Sequence, residues 1–115
     1  DFSSQLLAEN VLDCNVNFGV NIGGRLLQET LNLLNIDPSG RQMYQEITVD
    51  GIIGPNTLST LHKALQSRPD MESLIITLFN CLRAVRYVDI VQARPKNKKF
   101  MIGWLKQRVW LDVRR

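Results

Sequence analysis

Apolar residues recur every three or four positions along most of this chain, the period of a helix with one buried face. Leu6, Leu7, Val11, Leu12 and Val16 form the first such set. Ser3 and Ser4 ahead of it are good N-cap residues, and Gly19 behind it is a good stop. A second helix is expected over residues 22–35, with Leu26, Leu27, Leu31, Leu33 and Leu34 as its buried stripe. Gly23-Gly24 near its start lowers helix propensity, so the pair points to close backbone approach. The period then fails over residues 36–54. Asp37-Pro38-Ser39-Gly40 reads as a turn, Ile47-Thr48-Val49 has β character but is too short to stand alone, and Asp50-Gly51 and Gly54-Pro55 are turn pairs. A long loop is expected there, with room for a tiny β-hairpin.

Helical spacing resumes at Pro55, a favoured first helical residue, with Leu58, Leu61 and Leu65. Arg68-Pro69-Asp70 interrupts it. A long helix over residues 71–93 carries Leu74, Ile75, Leu78, Phe79, Leu82, Val85, Val88 and Ile90, a density that suggests a central helix. Pro95 ends it, and a last helix over residues 100–113 presents Phe100, Ile102, Trp104, Leu105, Val109 and Trp110. The sum is an all-α domain of four to five helices with one long loop. At 115 residues, 44% of them hydrophobic, residues 1–115 are enough for one domain with its own core. No apolar run approaches the roughly 18 residues of a membrane span, so membrane insertion is not expected. Asp1-Phe2-Ser3-Ser4 has neither a basic n-region nor an apolar h-region, so no signal peptide is visible.

Charge adds an asymmetry. The net value is only +3, yet residues 83–115 hold ten of the fourteen Lys and Arg, against Asp89 and Asp112. A basic end suits an anionic partner such as a teichoic acid or phospholipid, or is simply a solvated helix face. Arg94, Lys96, Lys98 and Lys99 are its densest part, but only Phe100 interleaves and no helix-turn-helix signature accompanies them. Nucleic acid is therefore not an expected partner. Cys14 and Cys81 lie in apolar helical patterns and read as two reduced core cysteines, with a single bridge between helices as the alternative. No cofactor or metal-ligand motif is recognisable, and none is expected. The sequence sets no oligomeric state.

Three segments carry a family resemblance. Asp13-Cys14-Asn15-Val16-Asn17-Phe18-Gly19 resembles a D-x-x-x-N-x-G segment, followed by a helix with the pair Leu27-Gln28. Residues 49–58, with Asp50, Gly51, Gly54, Pro55 and Thr57, resemble the D-G-x-x-G-P-x-T loop of peptidoglycan-binding modules. Tyr87 through Pro95 to Phe100-Met101-Ile102-Gly103-Trp104-Leu105 resembles a tyrosine, asparagine-proline, F-x-x-G-W ending, with Arg94 in the asparagine's place. Together and in this order they resemble glycoside hydrolase family 108 and its attached predicted peptidoglycan domain, some of whose members are called secretion activators. The resemblance implies a lysozyme-like helical fold of bacterial or phage origin, acting on peptidoglycan glycan strands at the cell wall or periplasm. It also implies a muramidase whose acid is a glutamate in an N-terminal E-G-G-Y segment. Residues 1–115 contain no such segment; Ile22-Gly23-Gly24-Arg25 has no carboxylate before it. The chain matches the family from its second third onward, so glycan hydrolysis does not carry over to residues 1–115; the alternative is a fragment of an active muramidase whose catalytic glutamate lies upstream.

The residues themselves offer little catalysis. Glycoside hydrolysis needs a protonated acid, usually with a second carboxylate nearby. Glu9 and Asp13 share a helix face at i, i+4, which makes them weak candidates, because nothing in the pattern encloses either in apolar side chains. By the resemblance, Asp13 and Asn17 line a sugar cleft; as residues, they equally suit a buried polar knot at the Gly19 turn. Gln28 and the Asp50–Thr57 loop read mainly as a built shape, with Gly51 and Gly54 expected at backbone angles closed to other residues. Sugar rings stack on flat apolar faces, so Tyr87, with an exposed hydroxyl, and Trp104 are the binding candidates. Trp104 also reads as a structural anchor, because Gly103 beside it permits close packing. His62, the one histidine, reads as a solvated helix position.

Overall fold

A computed structural model of the protein describes residues 5–19 and 21–109. The side chains of Leu6, Val16, Asn17, Phe18, Arg108 and Val109 lie outside that description, as do the Ser3/Ser4 cap and Trp110. Among the described residues the fold is all-helical, with five α-helices and no strand. These are α1 (Gln5–Phe18), α2 (Ile22–Leu33), α3 (Pro55–Ser67), α4 (Met71–Ala93) and α5 (Lys98–Trp104). A 3₁₀ turn, Pro95–Asn97, leads into α5, and a π-helical turn, Leu105–Val109, follows it. None of the described helices is long and apolar enough to cross a membrane. Contacts divide the chain into two compact units, Asp1–Ile76 and Thr77–Arg115.

In the first unit α1 packs along α2, and α2 against α3. Its core collects Leu7, Val11 and Cys14 from α1, Leu26, Leu27 and Leu31 from α2, and Leu61 and Ala64 from α3. Met71 and Ile75 from the start of α4 are also buried. Gly19, at φ +106°, ends α1 in the left-handed conformation, and its N–H donates to the Asn15 carbonyl at 2.9 Å. Leu12 and Leu33 depart from the expected stripes, being 65% and 63% exposed. Each sits one or two positions from a buried neighbour (Val11, Leu31), which turns it 100–200° around the helix and away from the core.

The close approach expected at Gly23-Gly24 is present. A Cβ on Gly23 would meet the Val11 carbonyl of α1, and one on Gly24 would meet the carbonyl of Gly51. The start of α2 is thus clasped on two sides. Asn15 strengthens one of them, its Oδ1 accepting from Gly23 N–H at 2.6 Å.

In the second unit Phe79 and Tyr87 are buried on α4, with Arg83 between them at 1% exposure. The Arg83 guanidinium lies over the Phe79 ring, 5.4 Å from its centroid. Burial on α4 follows every fourth residue, while Leu74, Val85 and Val88 are 38%, 56% and 39% exposed. The helix is therefore buried along one stripe rather than all round. Cys81, two positions past Phe79, faces away from that stripe and is exposed, which corrects its reading as a core cysteine; Cys14 is buried as expected, and no disulfide joins the two. The last helix begins at Lys98 rather than Phe100. Pro95 opens a 3₁₀ turn, closed by Asn97 N–H to the Arg94 carbonyl at 2.9 Å, that runs directly into it.

Candidate functional site

The loop between α2 and α3 has no strand pairing among the described residues; side-chain amides on α2 and just beyond its end take its place. Gln28 and Asn32 stand one turn apart on α2, and Asn35 follows two residues after the helix ends. Asn35 donates to the Tyr44 carbonyl at 2.6 Å and accepts from the Met43 and Tyr44 N–H groups at 3.0 Å. Asn32 donates to the Ile47 carbonyl at 2.9 Å and accepts from Ile47 N–H at 3.0 Å. Each primary amide thereby presents the same donor-acceptor pair that a neighbouring strand would. That is why Ile47-Thr48-Val49 has β character without a strand to pair with, and it replaces the small hairpin expected there. Tyr44 adds its hydroxyl, donating at 2.6 Å to the Leu31 carbonyl, one of the carbonyls left over at the end of α2. Burial, and then the charge of Glu46, push the Tyr44 hydroxyl up to about 12. It therefore stays neutral, and its contribution to stability is lost only as pH rises from 10 towards that value.

Gln28 closes the ladder with five hydrogen bonds at 1% exposure. Its Oε1 accepts from the N–H groups of Asp50 (3.0 Å) and Gly51 (2.8 Å). The two hydrogens on its Nε2 are shared among Asp50 Oδ1, the Ile52 carbonyl and Thr57 Oγ1 at 3.0–3.1 Å. Asp50 Oδ1 also accepts from Ile52 N–H at 2.9 Å, an Asx turn. This backbone N–H, and then the Gln28 amide, hold the Asp50 carboxyl below its usual 3.8. Asp37 is held low in the same way, first by the Ser39 hydroxyl and then by the Arg41 N–H. A carboxylate depressed in the fold stabilises it above the unfolded value and loses that contribution as pH falls through the folded one. Urea midpoints are therefore expected to change little with pH down to about 4 on account of these two groups, then to fall, and to fall less steeply in Asp50→Asn. Equal acid limbs in the variant and the parent would contradict this.

Gly51 holds φ +82° and is hemmed by Asn21, so its backbone conformation is required. Gly54 is not so constrained. Its φ is −107° with ψ −168°, extended backbone, and a Cβ there would meet nothing within 4 Å. The expectation of a closed backbone angle at Gly54 is thus corrected, because the turn is made three residues earlier. Gly54→Ala is expected to leave stability within about 0.5 kcal/mol of the parent by urea denaturation. A loss above about 1.5 kcal/mol would show that position 54 is strained.

Gln28, Ile47, Thr48, Asp50, Ile52, Gly54, Pro55, Asn56 and Thr57 line a solvent-open cleft of about 250 Å³. That is below the roughly 300–1,000 Å³ of pockets for drug-sized ligands, so it suits one small moiety of a larger ligand. Because Gln28 is fully engaged beneath, the groups at hand are the Asp50 carboxylate, the Thr48 hydroxyl and the Asn56 amide. Ile47, Ile52 and Pro55 supply aliphatic wall. Gly54 caps α3 without a side chain, so the Asn56 and Thr57 N–H groups have no partner within the helix.

The other expected residues lie elsewhere. Glu9 is exposed on α1 and accepts from Gln5 at 3.2 Å, a surface pair one turn apart. Asp13 is half-buried on α1, and the side chain of Asn17 lies outside the described residues. Tyr87 is 2% exposed with its hydroxyl buried, so the expected solvent-facing hydroxyl is corrected. Trp104 is half-buried, stacked on Tyr87 (centroids 4.8 Å, 20°) and on Phe100 (5.7 Å, 29°). Gly103 faces open space, so this stack and not a close approach at Gly103 holds Trp104. None of these residues lines the cleft. Ile47 and Thr48, read from sequence only as a short β-like stretch, line it, and Asn32 and Asn35, which the sequence did not mark, support its loop; the signal was a run of amides bordering a leucine stripe.

The D-G-x-x-G-P-x-T loop folded back on α2 defines an all-helical module with one candidate cleft. The family comparison agrees with that class. A family model described as a predicted peptidoglycan domain matches residues 22–109, most of the chain and all of the cleft. The chain belongs to that family. No curated protein matches it.

Proposed function

We propose that this chain binds peptidoglycan through the cleft beneath Asp50 and Asn56. The observation that carries the reading is the coincidence of the family's match with a cleft lined by its loop motif. The match runs across both compact units, which supports treating residues 1–115 as one module. In this reading the chain is the C-terminal part of a lysozyme-like muramidase or secretion activator of the glycoside hydrolase family 108 type. It acts at the cell wall and is catalytically incomplete as residues 1–115; the alternative is a fragment of an active muramidase whose glutamate lies upstream. Asp13 and Asn17 keep the sugar-cleft role the resemblance implies for them only within that larger protein. Co-sedimentation with purified sacculi tests binding: the folded chain is expected in the pellet at low salt, and its retention in the supernatant would end the reading. Lysis in a turbidity assay by this chain alone would instead favour an enzyme with its acid present, with Glu9→Gln the first substitution to make.

A second reading, a non-catalytic interaction protein in secretion or phage release, draws on the exposure of Arg94, Lys96, Lys98 and Lys99 beside Phe100 and Ile102, which are 45% and 67% exposed. Binding to anionic vesicles in place of sacculi would favour it.

A further inference from the structure

We propose that the cleft recognises the peptide stem of peptidoglycan rather than its sugar, taking the alkylammonium of an uncross-linked diamino acid against Asp50. This rests on the peptidoglycan reading above and narrows it. Sugar sites rely on a flat ring for stacking, and no aromatic residue lines this cleft. Its walls are instead aliphatic, from Ile47, Ile52 and Pro55, with Ile52 64% exposed at the rim. Aliphatic walls with one carboxylate fit a methylene chain that ends in a cation, the stem packing along apolar surface while the charged head meets its counter-ion.

The remaining polar groups agree with a peptide. The Asn56 and Thr57 N–H groups at the start of α3 lack intrahelical acceptors, and the carbonyl oxygens of a stem peptide supply them. Asp50 uses Oδ1 for Ile52 and Gln28. Its second carboxylate oxygen has no hydrogen bond among the described residues. The loop bonds thus hold the charged group in place and leave half of it for a ligand. Arg25 acts on Asp50 electrostatically without a hydrogen bond to it among the described residues, so the carboxylate still faces the cleft as its nearest charge and disfavours an anionic moiety such as a phosphate.

The test is co-sedimentation of the full chain with three preparations: native sacculi, sacculi whose free amines have been acetylated, and glycan strands stripped of peptide. Asp50→Asn is run beside the parent; its side-chain oxygen still accepts from Ile52 N–H, so the loop is retained. The parent is expected to bind acetylated sacculi about two- to fivefold more weakly than native ones, the upper part of the range for one exposed ion pair. Asp50→Asn should show the same loss on native sacculi and no further loss on acetylated ones. Acetylation makes sacculi more negative and the chain carries +3, so general electrostatics act in the opposite direction. Equal binding to native and acetylated sacculi, or undiminished binding to peptide-free glycan, overturns the proposal while peptidoglycan binding stands. Absence of binding to all three preparations removes both.

Discussion

Gln28→Met is expected to destabilise the protein by about 2–4 kcal/mol. Methionine matches glutamine in length and fills the same space, so the loss isolates hydrogen bonding from packing. Five bonds disappear at once. Of the groups stranded, the Gly51 N–H matters most, since Gly51 is buried and water does not replace the lost acceptor. A buried donor left without a partner costs about 1–3 kcal/mol, and the Ile52 carbonyl and Thr57 hydroxyl add smaller amounts. For a domain of this size the loss corresponds to a melting temperature lowered by roughly 10 °C or more. Helical circular dichroism should persist in the folded variant, because the bonds lost belong to the loop and not to α2. Peptidoglycan binding should fall with stability. A variant that melts within about 2 °C of the parent would mean that the loop is shaped by something other than this side chain.

The second large effect is expected at Gly24. In an exposed helix Gly→Ala stabilises by about 1 kcal/mol. Here the sign reverses. The new methyl would land on the Gly51 carbonyl, and moving that backbone away from α2 would stretch the bonds that tie the Asp50 and Gly51 N–H groups to Gln28. Overpacking against fixed backbone costs about 1–3 kcal/mol or more, so Gly24→Ala is expected to lose about 2 kcal/mol net by urea denaturation. A neutral or stabilising outcome would show that the contact between α2 and the Asp50-Gly51 turn is loose. Set beside the near-neutral Gly54→Ala, it separates the glycine chosen for contact from the glycine that merely fits.

Much of the fold was legible because it follows from period. Leucines three and four apart define α1 to α4, and Gly19, Pro55 and Pro95 punctuate them for known steric reasons. Close approach at Gly23-Gly24 was legible too, since two glycines opening a helix need a packing reason. Errors came where several apolar residues competed for one face. Leu12, Leu33 and Cys81 each adjoin a better-placed neighbour, and spacing alone does not choose between them. The site was legible as a motif but not as a mechanism. Asp50, Gly51, Pro55 and Thr57 mark the cleft, whereas Asn32 and Asn35 look like ordinary surface amides. Their partners are backbone groups of Tyr44 and Ile47, nine and fifteen residues away, and carry no side-chain signature. Tyr87 misled for the opposite reason: a tyrosine in a recognisable motif suggests ligand contact, and here it is buried.

The most direct test is a map of chemical-shift changes in the ¹⁵N-labelled chain on titration with soluble peptidoglycan fragments that keep their stem peptides. Shifts concentrated on the amides of residues 47–57, with the side-chain amide of Asn56 among them, are the predicted result. Shifts confined to α4 and α5, around Tyr87 and Trp104, with residues 47–57 unmoved, would contradict it.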